Sequence, residues 1–148
     1  MNNQHDFERL EIPLIAKLFE IYASAHKIIF SLPKFERYTL GEKIESSILE
    51  AVELIVIANN SPKFEKERYL IRTNGKIEIL KLLYRLALNC GILEQTKYLT
   101  VQKDLQEAGK MAQGWINDDR FNDPVTQTTD QRGGDRGWRT LAWGKQKL

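Results

Sequence analysis

The chain has 148 residues, 42% of them apolar and 28% charged, and carries a formal net charge of +2. It is long enough for one domain with its own core and is only weakly basic as a whole. Its one cysteine, Cys90, excludes an intrachain disulfide and fits a reducing compartment. No apolar run reaches ~18 residues, so no membrane span is expected, and the polar opening "MNNQHDFERLEIP" lacks a signal or transit pattern; the cytoplasm is the expected compartment.

Residues 1–12 read as a flexible start. A first helix is predicted from about Pro13 to Ser31. Proline suits the first turn, where its missing N–H would have had no partner. Leu14, Leu18, Ile21 or Tyr22, Ala25, Ile28 or Ile29 and Leu32 recur at helical spacing, and Pro33 ends the run. A second helix is predicted from about Thr39 to Asn59. Thr39 and Glu42 read as a capping box, Leu40, Ile44, Ile48, Ala51, Val52 and Ile55 form the stripe, and "NNSP" stops it. Between these two helices, Phe35 and Tyr38 are expected to pack over the end of the bundle.

The third helix is predicted from about Phe64 to Asn89, charged in its first half and apolar nearly all round in its second. Gly75 in its middle suggests a packing point or a bend. The fourth is predicted from about Thr100 to Asp118, with Tyr98, Val101, Leu105, Ala108, Met111 or Ala112, and Trp115 along one side. Residues 119–148 read as a polar, Gly-rich tail, disordered when free. From Arg120 onward, Arg120, Arg132, Arg136, Arg139, Lys145 and Lys147 stand against Asp123, Asp130 and Asp135, so the tail carries the positive excess. Four helices with short links predict an all-α, antiparallel, up-down-up-down four-helix bundle over residues 13–118.

The parts of an enzyme are missing from the pattern. His5 and His26 are the only histidines. Three residues before His26 stands Ala23, so the Glu-x-x-His pair of a di-iron bundle is absent. Neither histidine follows an arginine at the spacing of bundle-type RNases. Cys90 reads as a buried structural residue and His26 as a helix-surface one rather than as a thiol–imidazole pair. "GGDRG" lacks the flanking strand and helix of a phosphate loop. No cofactor or metal is expected.

Two features exceed the needs of a simple bundle. Arg68, Arg72 and Lys76 lie at i, i+4 and i+8 on one exposed stripe of the third helix, and Lys81 and Arg85 form a second pair on another face. A solvated face is the plain alternative; a phosphate-binding surface is the functional one. Secondly, "ILKLLYRLAL" and "AVELIVIA" are apolar around more of the helix than one stripe requires. Core of a larger bundle would explain this; a subunit interface is the favoured explanation.

"IIFSLPKFERYTLGEKIESSILEAVELIVIANNS", Ile28 to Ser61, resembles a four-helix-bundle family of bacterial proteins. That family includes the rRNA intervening-sequence proteins and the accessory variability determinant (Avd) of diversity-generating retroelements. Leu32-Pro33-Lys34, Tyr38 and Leu40 through Ile44 match its corner. Lys43 stands where the family often has Gln, and Glu45-Ser46 replaces an Arg pair, which points away from the rRNA-insert branch. "LEAVELIVIA", "LKLLYRLAL" and "LTVQKDLQEAGKMAQGWI" look like the Avd branch. The resemblance spans Pro13 to about Asp118. It implies a non-catalytic homopentamer that binds a reverse transcriptase and nucleic acid, template RNA or cDNA, during mutagenic copying. Lys81 and Arg85 match basic positions of the family's third helix; Arg68, Arg72 and Lys76 are inferred from charge. The alternatives are an rRNA-insert-type RNA-binding protein and a purely protein-binding bundle.

Overall fold

A computed structural model describes residues 12–121. The expectations for the N-terminal start and for the tail beyond Phe121 lie outside the described residues. Helix α1 spans Pro13–Ser31, with proline in its first turn and Leu14, Ile15, Leu18, Ile21, Ala25 and Ile29 buried. It ends as expected. Leu32, ahead of Pro33, is extended at φ −71° and ψ 153°, the conformation that a following proline imposes.

The corner after α1 differs from the reading of its sequence. A single helical turn, Lys34–Glu36, runs into a five-residue π-helical turn, Arg37–Gly41. Helix α2, Glu42–Asn60, follows without a break. Thr39 is therefore no cap: its hydroxyl donates back to the Phe35 carbonyl at 3.0 Å, as inside a helix. Phe35 and Tyr38 do not cover the bundle end and are 75% and 64% exposed. Arg37 closes the corner instead. Its guanidinium donates to the Phe30 and Leu32 carbonyls at 3.0 and 3.2 Å, satisfying acceptors orphaned at the end of α1, and lies over the Phe30 ring. Gly41 is buried against α1, where a Cβ would stand 2.8 Å from Ile29 Cγ2.

A two-residue link, Ser61 and Pro62, leads into helix α3, Lys63–Asn89. Gly75 is neither a packing point nor a bend. It lies exposed within an unbroken helix, with nothing within 4 Å of where its Cβ would be. Helix α3 closes on Gly91, whose φ of +73° suits glycine. Gly91 N–H reaches the Leu88 carbonyl and Ile92 N–H the Ala87 carbonyl, a Schellman motif. Cys90, expected to be buried, is exposed in this turn. Helix α4, Gln95–Phe121, begins earlier than its apolar pattern suggests. The Thr100 hydroxyl back-bonds to the Thr96 carbonyl at 3.0 Å, so it too sits inside a helix.

Cross-helix contacts fix an antiparallel, up-down-up-down order. Lys17 of α1 meets Asp104 and Glu107 of α4 at 3.1 and 2.7 Å. His26 of α1 meets Glu45 of α2 at 3.0 Å, and Lys76 of α3 pairs with Glu50 of α2. Gln102 of α4 donates to the Lys81 carbonyl of α3 at 3.1 Å. The core joins Leu18, Ile21, Ile48, Ile55, Ile77, Leu80, Tyr84 and Leu105. Ala58, Leu70 and Ile116 form a smaller cluster with Tyr69 and Trp115 against it. Each such aliphatic side chain contributes about 1.5–3 kcal/mol on burial, which is what holds polar, helix-tolerant stretches such as the start of α4 in place.

Candidate nucleic-acid and partner interface

Helix α3 presents two apolar faces. Leu70, Thr73, Ile77, Leu80, Tyr84 and Ala87 point inward. On the far side Phe64, Ile71, Ile79, Leu82 and Leu86 stay in solvent, Leu82 at 67% exposure. At 100° per residue these outer positions fall along one ridge, with the side chain of Gly75 missing from its middle. Helix α2 adds Leu49, Val56 and Ile57, also exposed. Apolar surface of this kind is a candidate interaction site.

The two groups of cations expected on different faces of α3 differ in what surrounds them. Lys76 leans to the α2 side, where Glu50 takes its ammonium. Arg72, one turn earlier, is exposed and makes no hydrogen bond or ion pair among the described residues. Arg68 is exposed, with its guanidinium 5.3 Å above the Tyr69 ring. Lys81 lies on the opposite, α4 side. It is bound to Glu78 at 2.6 Å and packs near Gly109. Arg85, one turn on, is exposed and likewise unpaired among the described residues. Arg72 and Lys76 therefore lie on one flank and Lys81 and Arg85 on the other, with Arg68 in line with the ridge itself.

Charge is also reshaped by pairing. Lys76, by hydrogen bond and by charge, holds the Glu50 carboxyl below the usual carboxylate range. Lys17 does the same to Glu107. Burial first, and the Glu45 charge second, push the Tyr84 phenol upward, so it stays neutral. Its hydroxyl and that of Ser47 are buried without a partner in the described structure. Lys103 and Lys110 of α4 are exposed and help to hold the Glu107 carboxyl low, behind Lys17.

Fold and face together define the class: an all-α, up-down-up-down four-helix bundle whose third helix carries an unpartnered apolar ridge between two cationic flanks. A family model described as bAvd-like matches residues 14–118, nearly the whole bundle. The chain belongs to the bAvd-like family. A search of curated proteins finds no match. No described helix is long and apolar enough to cross a membrane.

Proposed function

We propose that the chain is a non-catalytic accessory protein of a diversity-generating retroelement. It assembles with copies of itself as a homopentamer, and binds the element's reverse transcriptase and nucleic acid during mutagenic copying of template RNA into cDNA. Family membership supports the accessory role. The observation that carries the binding role is the outer face of α3, where exposed Leu82 and Leu86 run between the unpaired guanidiniums of Arg72 and Arg85. Apolar ridges bind protein, and guanidiniums pair in two-pronged fashion with phosphate or carboxylate.

The test is reconstitution. Purified protein is mixed with the reverse transcriptase encoded beside it and with template RNA. Light scattering should give a mass near that of a pentamer, and both partners should be retained on the tagged protein. A monomer that captures neither partner refutes the reading. Capture of the enzyme without any binding of nucleic acid by the accessory protein itself leaves the protein-only bundle in its place.

A further inference from the structure

The corner between α1 and α2 carries more apolar surface than a turn requires. Phe30, Phe35 and Tyr38 are all exposed within one short stretch. Each such ring has ~150–250 Å² to bury. The π-helical turn Arg37–Gly41 lies in the same stretch, and turns of this kind recur at functional positions. Beside it opens a cleft of about 390 Å³, at the lower end of the ~300–1,000 Å³ of ligand sites. Phe30, Tyr38 and the buried Ile29 supply its apolar lining, and four polar groups share it: His26, Arg37, Glu42 and Glu45.

Three of those four groups are already engaged. Arg37 commits its guanidinium to the Phe30 and Leu32 carbonyls and lies 5.4 Å from the centre of the Phe30 ring. His26 and Glu45 meet at 3.0 Å. Glu42 is exposed and makes no hydrogen bond or ion pair among the described residues. Nearby lysines serve other faces. Lys43 acts, behind Lys76, on Glu50 toward α3, and Lys27 lines the seam of α1 with α4. What the cleft leaves open is a carboxylate, Glu42, and an exposed aromatic ring, Tyr38.

We infer that this corner cleft is a docking site for a partner protein, which enters it with an arginine carried on an apolar segment. A guanidinium stacks on an aromatic face and pairs with a carboxylate through parallel hydrogen bonds. Arg37 over Phe30 already makes the stacked half of that contact within the chain. Apolar neighbours of the incoming arginine cover the rings of Phe30 and Phe35. Aromatic rings and arginine are the groups that dominate binding energy at protein interfaces. The inference concerns a different surface from the outer ridge of α3 and does not rest on the nucleic-acid reading.

The experiment is fluorescence anisotropy of a labelled peptide, Gly-Leu-Arg-Leu-Gly, titrated with the full chain. Two companion peptides replace the arginine, one with citrulline, which keeps its shape without its charge, and one with glutamate. The arginine peptide should bind about tenfold more tightly than the citrulline peptide, the size of one charge-assisted contact. Tyr38→Ala/Glu42→Gln should abolish that preference. Glu42→Gln alone, at an exposed residue without a partner, should do the same and serves if the double variant does not fold. Phe19→Ala/Glu20→Gln makes the same kind of change at exposed residues lower on α1 and should keep the preference. Helical content and light scattering verify fold and mass. Equal affinity of the parent for the arginine and citrulline peptides overturns the inference, as does a preference that survives Glu42→Gln. Tighter binding of the glutamate peptide overturns it by assigning the cleft to an acid through Arg37. A lower assembled mass in the folded double variant overturns it too, because the cleft is then a contact between copies.

Discussion

Gly41 and Gly75 should respond to alanine in opposite directions. Both lie in continuous helical backbone, where alanine is favoured over glycine by ~1 kcal/mol. At Gly41 the new methyl would stand 2.8 Å from Ile29 Cγ2 and 3.3 Å from the Glu36 carbonyl oxygen. Ile29 is 5% exposed and belongs to the core, so it has little room to retreat. Overpacking of this kind costs about 1–3 kcal/mol. Set against the helical gain, Gly41→Ala should lose up to about 2 kcal/mol, a fall of up to roughly 8 °C in Tm for a domain of this size. At Gly75 nothing lies within 4 Å of the new methyl, so Gly75→Ala should gain about 1 kcal/mol and raise Tm by roughly 3–4 °C. Urea and thermal unfolding at one fixed protein concentration measure both. An Ile29→Ala background should shrink the Gly41→Ala penalty, because the clashing branch is gone. A Gly41→Ala that gains as much as Gly75→Ala, or an undiminished penalty in that background, would refute the close approach of the corner to α1.

Three further outcomes are expected. Tyr84→Phe removes a buried hydroxyl that has no partner, so urea unfolding should show unchanged stability or a gain of up to ~1 kcal/mol; a clear loss would mean that the hydroxyl is satisfied. Lys17 holds the Glu107 carboxyl below its ordinary value of about 4.5, and a depressed carboxylate stabilises the fold above that value and loses the contribution as pH falls through its folded pKa. Glu107→Gln should therefore flatten the acid side of a stability-against-pH curve, below about pH 4.5, and a curve of unchanged slope would show the pair to be idle. Leu82→Glu, on the outer ridge, should lower the assembled mass by light scattering while leaving helical content intact; an unchanged mass would remove this ridge from the interface.

The four helices are legible because apolar residues recur at three and four and because punctuation is explicit: Pro33 stops α1, Pro62 opens α3 and Gly91 closes it. The corner is not legible. Thr39 and Glu42 have the spacing of a capping box, yet Arg37 reaches back to Phe30 and Leu32 and a π-helical turn carries the chain through. Local pattern has no signal for either. The start of α4 is hidden because Gln95 to Thr100 is polar on most sides and its helix is set by packing further along. At the interface, every cation on α3 is visible in sequence. Their division into two faces follows from the spacing, but their partners do not, because Glu50 lies 26 residues from Lys76, and Gln102 lies 21 from Lys81.

The ridge and the flanks also constrain one another. A bundle helix needs one apolar stripe, and α3 carries a second at Ile71, Ile79, Leu82 and Leu86 that solvent alone would penalise. Under the proposed assembly a protein covers it, and whatever covers it desolvates the nearest cations. Arg68 and Arg72 adjoin the ridge on the side of the exposed apolar residues of α2, so they fall within reach of that cover. A guanidinium buried there needs a carboxylate opposite it, since an unpaired buried charge costs several kcal/mol. The exposed Glu53 and Glu42 of α2 are acids that another copy could offer. Lys81 and Arg85 lie on the opposite flank, toward α4, so such a cover would leave the exposed Arg85 its water.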